Sequence, residues 1–216
     1  MRHNVTPSAR IDLPAGFELI LASHNRGKLA ELEGALSGLP IRLRSAADCA
    51  MPVPEEGACS FVENALLKAR HAAQISGLPA LSDDSGLVVD GLGGAPGVHS
   101  ARYAGAHATD AQNNAMLLQA AEDLHGALRA CRFVCVLVLV NRPEDPLPLI
   151  TQGVWEGRLL RVPRGSGGFG YDPLFADAQS GRGAAELEPS EKLQLSHRGQ
   201  AIALLRGHIL DKLRCQ

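Results

Sequence analysis

The sequence predicts one α/β domain built on a mixed sheet, and three observations predict it. Short apolar runs and helix-period segments succeed one another along 216 residues, a length that suits one such domain or one domain of two lobes. Phe133 to Val140 is an unbroken, β-branched apolar run, as a strand buried on both faces should be. The strands and helices do not alternate strictly, so parallel and antiparallel neighbours are expected in one sheet. With 45% apolar residues the chain can bury a sizeable core.

Residues 1–16 carry charges together with Pro7 and Pro14 and lack the apolar stretch of a signal peptide. They read as a flexible extension, leaving 17–216 as the domain. Phe17 to Ala22 is the first strand. A polar turn follows, and then Leu29, Leu32, Leu36 and Leu39 recur at helical spacing. Ile41 to Arg44 reads as a second strand, and Met51 to Gly57 as a loop rich in proline and acid. Ser60-Phe61-Val62-Glu63 is a capping box opening a helix to about Ser76, with Val62, Ala65, Leu66, Ala69 and Ala73 on one face. Gly77 and Pro79 stop it. Ala80–Leu81 and Leu87–Val89 read as two short strands around an acidic turn. The glycine-rich stretch from Gly91 to His107 is long enough to be functional or mobile. Thr109 or Asp110 caps a further helix reaching about Leu124. Leu147 to Gly157 is the neighbour of the central strand, Arg161 to Gly183 reads mostly as loop, and a last helix runs from about Gly199 to Leu213 with Ile202, Leu205, Ile209 and Leu213 facing inward.

A net charge of −2 argues against a broad basic face for nucleic acid. Phe133 to Val140, the longest apolar run, is far too short to span a bilayer. Five cysteines show neither zinc spacing nor a disulfide framework, which points to a reducing cytoplasm, with Cys131 and Cys135 as buried thiols.

Four clusters can carry chemistry. Ser23-His24-Asn25-Arg26-Gly27-Lys28 lies between a strand and a helix, a common place to hold an anion, although it is no Walker sequence. By itself it also suits a solvated helix start. Ser82-Asp83-Asp84-Ser85-Gly86 offers carboxylates for Mg²⁺ or for a water proton, with Glu55 or Glu56 as a second acid. Neighbours on a strand face opposite ways, so at most one aspartate is expected to reach a cleft, and an Asx-type hairpin turn is the plainer alternative. Gly165 to Gly170 matches Gly-x-Gly-x-x-Gly, but no convincing strand precedes it and Pro173 follows, which excludes a dinucleotide fingerprint. Phe169 there offers a face for a base, or tucks into the core with Tyr171. Lys192, His197 and Arg198 close the set. The chain has only four lysines, and two of them, Lys28 and Lys192, belong to these clusters. Lysine suits phosphate as a point charge. The guanidinium of Arg198 can donate to the O6 carbonyl of hypoxanthine or xanthine, where adenine presents an amino group. A capped helix start with exposed charges is the alternative. Together the clusters point to nucleotide chemistry.

The motifs Ser23-x-Asn25-x-x-Lys28, Phe61-x-Glu63-Asn64-Ala65-x-x-Lys68-Ala69, Asp83-Asp84-Ser85-Gly86-Leu87, Gly94-Ala95-Pro96-Gly97-x-x-Ser100-Ala101-Arg102-Tyr103, Gly167-Gly168-Phe169-Gly170-Tyr171-Asp172-Pro173 and Ser196-His197-Arg198-Gly199 occur in that order. Over roughly Leu19 to Leu205 the chain resembles the RdgB-like inosine triphosphate pyrophosphatases, a family acting on noncanonical purine nucleoside triphosphates. The resemblance implies an elongated α/β fold of two lobes around an active-site cleft, a mixed twisted sheet with flanking helices, and a homodimer. It implies hydrolysis of ITP, dITP and XTP to monophosphate and pyrophosphate with Mg²⁺. Carried over by position, Ser23, His24, Asn25, Arg26, Gly27 and Lys28 would bind the triphosphate. Asp84 would be the general base or metal-bound carboxylate, and Glu56 a metal ligand. Ser85 would touch substrate, Phe169, Gly170, Tyr171 and Asp172 would hold the base, Lys192 the phosphates, and His197 and Arg198 the base edge. His24 replaces a glycine found in many members.

Two rivals stand beside this expectation. A Maf-like pyrophosphatase for pyrimidine or methylated nucleotides is disfavoured by the Ser-His-Arg-Gly and Phe-Gly-Tyr-Asp motifs. A nucleotide sensor without chemistry is disfavoured by the carboxylates beside the phosphate cluster.

Overall fold

Eleven regular elements follow one another: β1 (Phe17–Ala22), α1 (Arg26–Leu36), β2 (Ile41–Ser45), α2 (Phe61–Ser76), β3 (Ala80–Val89), α3 (Asp110–Ala120), β4 (Ala130–Val140), β5 (Leu149–Leu159), β6 (Phe175–Asp177), α4 (Pro189–Leu195) and α5 (His197–Arg214), among the residues 17–23, 25–52, 54 and 57–214 that this computed structural model describes. The strands form one sheet in the order β2-β1-β3-β4-β5-β6. β1 pairs in parallel with β2 and β3, and every later pairing is antiparallel, so the sheet is mixed as expected. The predicted extension at 1–16 lies outside the described residues.

Alternation along the strands assigns two faces. Leu81, Cys135, Leu137 and Leu139 pack against Leu32 and Leu36 of α1 and Ile202, Leu205 and Ile209 of α5. Ala80, Val136, Val138 and Val140 pack on the other face against Ala65, Ala69, Ala72 and Ala73 of α2. A third cluster gathers Phe133, Trp155, Tyr171 and Phe175 near α3.

Several expectations are corrected. β3 is one continuous strand, because each residue from Ala80 to Val89 pairs with β4, from Val140 back to Cys131; the acidic segment is neither a hairpin turn nor a break between strands. Val62 is exposed rather than on the buried face of α2. The Ser60 hydroxyl accepts the Glu63 N–H and donates to the Glu63 carboxylate at 2.6 Å, so this cap closes side chain to side chain. α3 ends at Ala120 instead of about Leu124, and Arg129 Nη1 donates to the Ala121 carbonyl that a longer helix would use. The stretch 161–183 holds the short strand β6. α4 precedes the last helix, which starts at His197. Gly199 allows that close junction, because a Cβ there would lie 1.5 Å from the Leu193 carbonyl oxygen.

This topology creates a place for a ligand. β1 leads through α1 to β2 on one side, and the chain then returns through α2 to β3 on the other. α1 and α2 therefore leave on opposite faces, and the crevice at such a switch point, beyond the carboxyl ends of the strands, is where open α/β sheets bind ligands. β1 stops at Ala22, opposite Ser82, so β3 runs on past it with Asp83, Asp84 and Ser85 beside the opening.

Candidate active site

Asp83 and Asp84 point to opposite faces of β3, as strand geometry requires. Both nonetheless line one cavity of about 190 Å³. The cavity straddles the end of β1, reaching Lys28 and Ser85 on the α1 side and Lys68 and His71 on the α2 side.

On the α2 side, Lys68 Nζ lies 2.7 Å from Asp84 Oδ1. On the other side, Lys28 Nζ lies 2.5 Å from Asp83 Oδ1 and Arg198 Nε lies 2.9 Å from Asp83 Oδ2. Burial alone would raise the Asp83 carboxyl, but the Arg198 and Lys28 charges reverse this and hold it well below the usual carboxylate range. Cys135 Sγ, 3.3 Å from Asp83 Oδ2, is pushed up by burial and is no nucleophile.

The Ser23–Lys28 turn is held by its own polar atoms. Asn25 caps α1 by accepting the Lys28 N–H at 3.0 Å, and Ser23 Oγ accepts the Asn25 N–H at 3.3 Å. Ser23, Asn25 and Lys28 thereby face the cavity. Arg26 and Gly27 open α1. His24 lies outside the described residues.

A second cavity of about 210 Å³ adjoins the first, and Asn25, Lys28, Ser85 and Ala101 line both. Its walls include Phe169, Gly170, Tyr171, Asp172, Lys192, His197 and Arg198. The clusters at Ser23–Lys28 and Ser82–Gly86 thus meet those at Phe169–Asp172 and Lys192–Arg198 around Ser85. Lys192 lines this second cavity and not the first; its Nζ lies 2.6 Å from Asp172 Oδ2 and 4.8 Å from the centroid of the Phe169 ring. Burial pushes the Asp172 carboxyl up even with Lys192 beside it. Asp172 Oδ2 also accepts the Phe169 N–H at 2.8 Å. Tyr171 does tuck into the core, where its hydroxyl donates to the Ser100 carbonyl at 2.8 Å.

His197 stacks on Phe133, with ring centroids 4.8 Å apart and planes 11° apart. Burial, and then the Arg198 charge, holds its imidazole well below the ordinary value, so it is neutral at pH 7. Its Nδ1 has no hydrogen-bond partner among the described residues. Arg198 is almost fully buried and spends its fork internally: Nε on Asp83, Nη1 on Glu31 Oε2 at 2.6 Å and Nη2 on Ser85 Oγ at 2.8 Å. It ties α1, β3 and α5 together and presents a fixed cationic edge to the second cavity.

Sequence reasoning gave Lys68 and Glu31 no role in this site, and it expected at most one of Asp83 and Asp84 to reach the cleft, whereas both line the first cavity. Lys68 carried a signal, since it is one of four lysines and sits inside a matched motif. Glu31 carried none. Glu55 and Glu56 lie outside the described residues, and among the described residues no group of three or more His, Cys, Asp and Glu side chains could hold a metal ion.

Comparison with known proteins gives the family of the chain. The family model described as the Ham1 family matches residues 19–208. The dITP/XTP pyrophosphatase of Pseudomonas aeruginosa is 56% identical over 192 residues, 89% of this chain and 96% of that protein. The solved structure of a HAM1 protein from Coxiella burnetii superposes with a TM-score of 0.85 at 48% identity, covering 90% of this chain and 99% of that one. The Ham1 protein of Staphylococcus aureus gives 0.80 at 32% identity, covering 90% and 99%.

Proposed function

The chain belongs to the Ham1 family, and from that premise we propose that it hydrolyses noncanonical purine nucleoside triphosphates (ITP, dITP and XTP) to the monophosphate and pyrophosphate, clearing them before they enter DNA or RNA. The observation that carries the reading is the meeting of two unlike cavities at Ser85. One holds Lys28 and an Asp84–Lys68 pair, and the other holds an aromatic ring, a neutral histidine and a buried arginine. A triphosphate suits the first and a purine the second, which leaves the sugar and α-phosphate at the junction.

Water then attacks the α-phosphorus and pyrophosphate leaves. Asp84 orients that water or takes its proton, and Lys68 holds the carboxylate in place. Lys28 offsets the charge that builds on the phosphate oxygens. Asp83 is shared by two cations, Lys28 and Arg198, whereas Asp84 lines the first cavity beside Lys68, so of the two Asp84 is the better suited to Mg²⁺, which takes one or two protein carboxylates together with phosphate oxygens and water. Glu56 is the proposed second ligand. The ion would supply Lewis-acid neutralisation of the phosphates. On the base side, neutral His197 and cationic Arg198 suit a purine with an O6 carbonyl. The homodimeric state and the cytoplasmic location belong to the same proposal.

Product analysis with ITP, ATP and GTP, each with Mg²⁺, tests it. IMP plus pyrophosphate is expected, with ATP and GTP largely spared. IDP plus phosphate would overturn the mechanism, and no turnover of any of the three would overturn the function.

A further inference from the structure

The first turn of α3 reaches the second cavity through Asp110 and Asn113, although no role is expected of it from the sequence. Asp110 Oδ2 accepts the Gly170 N–H at 2.7 Å, and Asn114 Nδ2 donates to the Gly170 carbonyl at 2.8 Å. Two side chains one helical turn apart thus grip both polar groups of a single residue. Asn114 Nδ2 also donates to the Asp110 carbonyl at 2.8 Å, which aims its amide group. Asn113 ties the same helix to the stretch carrying Ala101, donating to the Ala101 carbonyl at 3.2 Å and accepting from the Ala104 N–H at 2.9 Å.

The gripped residue matters because of its neighbour. Phe169 stands between Gly168 and Gly170, whose φ angles of +74° and +61° lie in the left-handed region. Glycines of that kind leave the backbone loosely determined, so the contacts around them decide where the ring stands. The Phe169 ring faces Lys192 and Arg198, with its centroid 4.8 Å and 5.6 Å from the two cationic centres. It also packs over α1, where a Cβ on Gly27 would lie 3.1 Å from it.

We infer that Asp110 and Asn114 are positioning residues for the purine: by clamping the Gly170 peptide they set the Phe169 ring against the base, and they act on base affinity without acting on the phosphates. The inference rests on the function proposed above. The chemistry of the clamp is asymmetric, since Gly170 N–H needs an acceptor and Gly170 C=O needs a donor. Asp110→Asn keeps an acceptor, while Asp110→Ala removes it. Asn114→Asp keeps the shape and replaces the donor with an acceptor facing two carbonyls.

The test measures ITP turnover together with inhibition by tripolyphosphate, which has no base. In Asn114→Asp and Asp110→Ala the KM for ITP is expected to rise about tenfold, with kcat within about threefold. In the same variants the tripolyphosphate inhibition constant should stay within about twofold, and Asp110→Asn should restore the KM. A parallel rise of the KM and the inhibition constant would overturn the inference, because the clamp would then be a general prop of the fold. Unchanged KM in all variants would overturn it as well. Failure of the parent protein to turn over ITP is a different result, and strikes the proposed function itself. Asp110 is exposed at the start of its helix, so its two variants keep the test decisive if Asn114→Asp does not fold.

Discussion

Lys68 Nζ and Asp84 Oδ1 stand 2.7 Å apart across the α2–β3 interface, and this pair divides the two adjacent aspartates into different roles. Asp83, on the opposite face, is committed to Lys28 and Arg198 and holds elements together. Asp84 faces a lysine at the wall of the cavity, where a carboxylate can meet water or metal. Asp84→Asn is therefore expected to lower ITP turnover at least about 100-fold. Lys68→Met should lower it at least about tenfold, about 1.4 kcal/mol of barrier. Steady-state kinetics check both; a loss below tenfold for Asp84→Asn would remove Asp84 from the chemical step.

Asp83→Asn should act on stability first. It leaves Lys28 and Arg198 without their shared buried carboxylate, a loss of about 3–5 kcal/mol by the usual cost of breaking a buried pair. The pH dependence has a definite sign. The folded carboxyl lies below its unfolded value, so its stabilisation is present above about pH 4 and is lost as pH falls below that. Thermal unfolding followed from pH 7 to pH 3 should show a shallower acid decline for the variant than for the parent.

His197 contributes in the neighbouring window. Its folded value is depressed by burial and by Arg198, so folding favours the neutral ring, and stability is lost as pH falls below about 6.5. His197→Phe keeps a ring on Phe133 and should flatten the stability profile between pH 7 and pH 5. It should also raise the KM for ITP, since His197 lines the second cavity.

Phe169→Ala removes the flat face of the second cavity. Stacking of a base on an aromatic ring is worth about 1–3 kcal/mol, so the KM for ITP should rise about tenfold or more while the tripolyphosphate inhibition constant changes little.

Gly199→Ala puts a methyl group 1.5 Å from the Leu193 carbonyl oxygen. α4 and α5 must then separate, which moves Lys192 and Arg198 together. A lowered melting temperature with loss of ITP turnover is expected, because no flexible side chain can yield at that contact.

Most elements are legible in the sequence because their signals are local. Periodicities of 2 and 3.6, the Ser60 and Thr109 caps and the stop at Gly77 depend on residues a few positions apart. The misreadings fall where tertiary pairing overrides local signals: Ser82 to Gly86 resembles a turn, yet β4 pairs with it throughout. Most members of the site are legible as short polar clusters, but Glu31 and the pairings among the clusters are not. Arg198 meets Asp83 across 115 residues and Glu31 across 167, and no period encodes such partners.

Sequence by itself determined the α/β class, the mixed sheet and the residues that make the family recognisable, since these follow from residue types at short spacing. Tertiary structure alone decided that the two aspartates serve different faces, that Lys192 lines the cavity of Phe169 and His197 rather than that of Asp83 and Asp84, and that α3 grips Gly170. Those outcomes depend on which strand ends where and on which faces are buried. Both are consequences of packing distant segments around one core.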